Sequence, residues 1–188
     1  MIQIRRGVFE TNSSSSHSIS IRKQDDYYTE EEVKEELWRS AKYNNGLYRI
    51  WSYRLEFGWG FDVYDSFSDK LQYVLAVYLC ADNDSKVAKI VSFAESFFEK
   101  DKRFNIVLEP WDDPNSLTEY ERYSLIDHQS QKMLQDFFIE ENIDYKEFLM
   151  NRKYVLWIDD DNNCYVRKLK DAGILHMDDF ERHYEVEL

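Results

Sequence analysis

The sequence predicts an α+β fold: an N-terminal β-hairpin joined to a mixed helix and sheet body, in a single compact domain. Three observations predict it. Apolar residues alternate with period two at the start of the chain and again near its end. Amphipathic segments with helical spacing lie between them. The resulting order (strand, strand, helix, strand, helix, helix, strand, helix, strand, strand) lacks the regular alternation of a βαβ series. The 188 residues suit one domain. Aromatic residues make up 16% of the chain, which excludes a disordered acidic tail, because such tails cannot build a core. Five Gly and two Pro argue against a linker-rich architecture.

Ile2, Ile4, Val8 and Phe9 suggest a first strand, and His17 to Ile21 alternates cleanly as a second. The polar connection from Thr11 to Ser16 is long for a hairpin. Thr29 and Glu32 form a capping box, so a helix is expected from Thr29 to about Tyr43, ended by Asn44-Asn45-Gly46. Residues 47–60 read as one strand or a hairpin. Ser68 is positioned to cap a helix reaching Cys80, and Asp84 or Ser85 to cap the next. In that helix Val87, Ile90, Val91, Ala94, Phe97 and Phe98 make an apolar face. Phe104 to Leu108 reads as a short buried strand stopped by Pro110, before a turn-rich loop. Helices follow at Ser130–Glu141 and from Asp144 to Met150. Strands are expected at Tyr154–Ile158 and Cys164–Lys168, around a turn at Asp159–Asn163.

Two cysteines make neither a disulfide framework nor a zinc site. The charged N-terminus does not resemble a signal peptide, and the longest apolar run, Val74 to Cys80, is too short to span a bilayer. A reduced, cytoplasmic protein with no membrane partner is expected. Read as a calcium loop, Asp159, Asp161 and Asn163 fail, because Cys164 stands where Gly is needed and Lys170 where Glu is needed. No metal ligand set and no cofactor motif is expected.

The charge is unevenly placed. Residues 1–24 hold Arg5, Arg6, Arg22 and Lys23 against Glu10, a net of +3, which leaves −16 for residues 25–188 of a −13 chain. The chain thus reads as a basic hairpin on an acidic, aromatic-rich body. In regular strands Arg6, Glu10 and His17 converge at one end of the hairpin, and a bulge at Gly7 brings in Arg5 instead. Thr11, Asn12, Ser13, Ser14, Ser15 and Ser16 add hydroxyls, an amide and backbone N–H groups that suit a phosphate. Glu10 and His17 as acid and base, with Arg6 on the phosphate charge, fit metal-independent cleavage of RNA. The competing reading is a polar loop that caps its own backbone, with Arg6 and Glu10 as an ion pair. The acidic body fits a mimic of a nucleic-acid surface that seeks a basic groove, or plain solubility.

The run from Arg6 to Ser18, RGVFETNSSSSHS, resembles an N-terminal signature of proteins from phages, plasmids and other mobile elements of Gram-positive bacteria. Some of these resemble type II-A anti-CRISPR proteins, which inhibit Cas9 and in part act on its guide RNA. The resemblance covers about a tenth of the chain. It implies an anti-defence role and Cas9, or its complex with guide RNA, as the partner. It also implies functional roles for Arg5, Arg6, Glu10, Thr11, Asn12, the serines and His17, with RNA met by the hairpin. Two alternatives stand beside it: a non-catalytic acidic mimic that blocks guide or DNA loading, and a nucleotide- or phosphate-binding enzyme that uses the serine loop as a cradle.

Overall fold

The computed structural model of the chain describes residues 15–23, 25–42, 45–51, 62–81, 83–98, 104–109, 128–160 and 180–185. Their elements run β1 (Ser15–Arg22), α1 (Glu30–Ala41), β2 (Leu47–Trp51), β3 (Asp62–Tyr64), α2 (Phe67–Cys80), α3 (Asp84–Ser96), β4 (Asn105–Glu109), α4 (His128–Glu140), α5 (Tyr145–Met150), β5 (Tyr154–Asp160) and β6 (Phe180–Glu185). The α+β expectation holds.

An antiparallel sheet has the order β3-β5-β1-β6. The β1–β5 register sets His17 opposite Ile158, Ile19 opposite Leu156 and Ile21 opposite Tyr154. All six are buried, and they share one face because strand side chains alternate. Ser18 and Ser20, buried with Val155 and Trp157, take the other face. The serines are therefore the small residues of a strand covered on both sides. A second sheet pairs β2 with β4 in parallel, Leu47 opposite Asn105. A parallel pair needs a long crossover, and α2 and α3 lie within it.

Helix α2 is the centre of the packing. It contacts α1, α3, α4 and α5, and Tyr73 through Tyr78 are all buried. A helix apolar on every side has neighbours on every side. Each fully buried Leu or Val contributes roughly 1.5–3 kcal/mol. Leu75→Ala would therefore cost about 2–5 kcal/mol. Helix α4 adds Met133, Leu134, Phe137 and Phe138 to the same core. Phe98 and Phe104 stack at 3.8 Å, tying the end of α3 to the start of β4.

Several local expectations are met. Thr29 closes its capping box with Glu32, Asp144 caps α5, and Asn45 and Gly46 adopt positive φ after α1. Others are corrected. Over Ser18–Ile21 both edges of β1 are filled, by β5 and β6, rather than one edge by a hairpin partner; residues 2–9 lie outside the described residues. Ser15 and Ser16 belong to β1 and not to the loop, and Asp159 and Asp160 belong to β5 and not to a turn. Ser66, not Ser68, caps α2, because Ser66 is extended (φ −76°, ψ 154°) and accepts from the Asp69 N–H. Asn83, not Asp84 or Ser85, caps α3. Within the expected strand or hairpin at 47–60, Leu47–Trp51 forms β2, which pairs in parallel with β4; residues 52–60 lie outside the described residues. Around the start of β4 burial alternates: Phe104, just before the strand, and Ile106 are inside, and Asn105 is exposed. The strand expected at Cys164–Lys168 lies outside the described residues.

Candidate functional site

Of the residues that the sequence nominates, Arg5, Arg6, Glu10, Thr11, Asn12, Ser13 and Ser14 lie outside the described residues. The register of β1 sets Ser15 opposite Asp160 and Ser16 opposite Asp159. His17 is 1% exposed. Its Nδ1 shares a 2.8 Å hydrogen bond with the hydroxyl of Tyr73 in α2, and the two rings lie 5.6 Å apart. The pair joins the central strand to the central helix. A general acid or base must reach its substrate, and this histidine faces the core.

A denser polar arrangement gathers at the corner between α5 and β5. The segment before α1 is stitched along this corner: the Tyr28 N–H donates to the Met150 carbonyl and the Arg152 N–H to the Asp26 carbonyl. Asn151 is buried and fully used. Its amide donates to Asp25 and Glu147, and its side-chain oxygen accepts from the Lys153 N–H. Lys70 reaches in from α2, wholly buried. Its ammonium donates to the carbonyls of Phe148 and Asn151, each at 2.9 Å, and lies over the Tyr28 and Phe148 rings. These carbonyls close α5, so the lysine is a C-cap supplied from another helix. Burial lowers its pKa to about 7, since the charged form is poorly solvated there.

Arg152 carries the corner to the surface. Its guanidinium stacks 4.0 Å from the Tyr28 ring centre and donates to Glu32 at 2.9 Å and Asp26 at 3.3 Å. Glu32 is held down to about 2, first by the Thr29 N–H and then by Arg152. Beside it a groove of about 540 Å³ runs between α1 and the start of α2, lined among others by Glu32, Glu35, Glu36, Arg39 and Asp69. Glu36 accepts the Ser68 N–H at 2.6 Å, so an α1 carboxylate sits on the positive end of α2. Desolvation raises the Asp69 pKa, and the Ser66 hydroxyl opposes this by donating to it. The groove thus has a carboxylate rim, which complements a guanidinium or ammonium group.

Among the described residues no group of three His, Cys, Asp or Glu is placed to hold a metal ion, and no helix is long and apolar enough to cross a membrane. Sequence reading missed Lys70, Tyr73 and Arg152. Lys70 left a signal, since it stands with Phe67, Leu71 and Val74 on the apolar stripe of its helix. Tyr73 and Arg152 left none, because their partners lie 56 and 120 residues away. No family description, no curated protein and no solved structure matches the chain.

Proposed function

We propose that this chain is an anti-defence protein of a mobile element that docks its acidic α1 face into the basic nucleic-acid channel of a Cas9-type effector, blocking guide RNA or DNA. The observation that carries it is the carboxylate face of α1 beside the groove, where Glu30, Glu31, Glu32 and Glu35 are exposed. Glu30 and Glu35 pair within the helix with Lys34 and Arg39. Such exposed pairs are worth a few tenths of a kcal/mol and exchange readily for a partner's cations. Cas9-type effectors hold guide and target in a positively charged channel, and the N-terminal signature supplies the choice of target. Guide-RNA cleavage by Arg6, Glu10 and His17 has weaker support, because His17 is buried on Tyr73.

Co-purification with Cas9, with and without guide RNA, tests the reading. A complex that Glu31→Lys with Glu35→Lys abolishes is the expected result. No complex in either arm overturns the effector claim. A guide shortened by the wild type, but left intact by Arg6→Ala, Glu10→Ala and His17→Ala, overturns mimicry in favour of cleavage.

A further inference from the structure

Helix α3 and the start of α5 form a second surface of opposite character. Arg22, Lys34, Arg39, Lys132, Arg152 and Lys153 are all ion-paired with carboxylates. Lys86, Lys89 and Lys146 make no ion pair among the described residues. Lys89 and Lys146 line an open groove of about 690 Å³ with Ser85, Ser92, Phe93 and Tyr145, and among the described residues no carboxylate lines it. Lys86 lies 5.0 Å over the Tyr145 ring, and Lys146 lies 5.3 Å over Phe93. These contacts hold the Lys86 and Lys146 ammonium groups over rings rather than against carboxylates. Of the acids nearest in sequence, Asp144 accepts the Lys146 and Glu147 N–H groups, Glu95 accepts the Ile106 N–H on β4, and Asp84 is exposed at the start of α3.

The local sequence builds this face directly. Val87, Ile90 and Ala94 turn into the core, so the α3 strip of Ser85, Lys89, Ser92 and Ser96 is exposed. Phe93 lies at its margin, half-buried and braced edge-on by Phe97 and Tyr145. Lysines spaced around a rigid, partly open aromatic ring meet the two needs of a single-stranded nucleic acid, cations for the phosphates and a flat face for a base. The groove volume falls within the roughly 300–1,000 Å³ usual for small-ligand sites. The chain's net charge of −13 opposes approach from a distance. That repulsion is screened beyond about 8 Å at physiological salt, while contacts inside the groove are local.

We propose that the α3–α5 groove binds single-stranded nucleic acid, with Lys86, Lys89 and Lys146 on successive phosphates and one base stacked on Phe93 in the place that Lys146 leaves when it turns to a phosphate. This contact is separate from docking by α1, and its test uses no effector. Binding of labelled single-stranded RNA and single-stranded DNA oligonucleotides to the full chain is followed by fluorescence anisotropy between 25 and 200 mM salt (concentrations set for the assay, about one decade). Three phosphate contacts predict a slope of about −2 for log K against log salt. Lys89→Glu with Lys146→Glu should weaken binding at least tenfold and flatten the slope to about −0.7. Phe93→Leu, which keeps an apolar side chain in the α3 packing, should weaken binding about tenfold with the slope unchanged. Circular dichroism confirms that each variant is folded. Stronger binding of RNA than DNA assigns the site to RNA, and the reverse assigns it to DNA. No binding by the wild type, or no change in the lysine variant, overturns the proposal. Displacement by inorganic polyphosphate together with indifference to Phe93→Leu also overturns it, reducing the patch to a bare polyanion surface.

Discussion

The ammonium of Lys70 lies 2.9 Å from the carbonyl oxygen of Asn151, with both residues fully buried. One side chain of α2 thereby fixes the corner where α5 ends and β5 begins, and that corner carries Arg152 to the surface groove. The lysine pKa is lowered to about 7 from an ordinary 10.5. Between those values the unfolded chain binds more protons than the folded one, so stability should rise with pH from about 7 to 10.5. The slope is at most about 1.4 kcal/mol per pH unit. Lys70→Met should remove this slope, as read from urea midpoints at several pH values. An equal slope in the variant would show that Lys70 does not titrate in that window.

The hydrogen bond between His17 and Tyr73 predicts a structural role for the histidine. Tyr73→Phe should cost about 1–3 kcal/mol, because it leaves a buried ring nitrogen without that hydroxyl. Replacing both partners, His17→Phe with Tyr73→Phe, should cost less than the sum of the single changes. A double-mutant cycle in urea measures the difference. Additive costs would mean that the pair is not coupled.

Arg152 predicts a shift at Glu32. The Glu32 carboxyl is held at about 2 against an ordinary 4.5. A depressed carboxylate stabilises the fold above its unfolded value, and that contribution is lost as pH falls from 4.5 through about 2. Arg152→Met removes one of the bonds responsible and leaves the Thr29 cap. Carboxyl NMR titration should find Glu32 raised in the variant, yet still below 4.5.

The two serines near the start of α2 should separate in hydrogen exchange. Ser66→Ala removes the acceptor of the Asp69 N–H. It should speed exchange at that amide and cost about 1 kcal/mol. Ser68→Ala loses instead the 2.6 Å contact with the Tyr48 hydroxyl, and should leave the Asp69 amide protected.

Some of this molecule was legible because the relevant contacts span few residues. Thr29 and Glu32 cap α1 from three residues apart. The spacing of Val87, Ile90 and Ala94 shows the buried face of α3 because one helix period determines it. The choice of Ser66 over Ser68 was not legible, because both are good caps and the entry angle of the chain decides between them. Nor was the sheet order legible. His17 to Ile21 reads as a strand, but its partner β5 lies far along the chain, and period-two alternation names no partner. The candidate site divides the same way. Lys70 went unread although its place on an apolar stripe marks it, whereas the Arg152 stack on Tyr28 exists only where β5 leaves α5 beside the entry to α1.

The sequence by itself determined the α+β class, the helix caps of α1 and α5, and the split between a basic N-terminal segment and an acidic body. Those follow from local spacing and composition, which need no knowledge of what packs where. Tertiary structure alone decided that His17 turns inward to Tyr73, that Lys70 caps a helix not its own, and that Lys89 and Lys146 share a groove that no carboxylate lines among the described residues. The physical reason is common to all three. Burial and electrostatic environment are set by neighbours tens of residues away, and a side chain's chemistry depends on those neighbours.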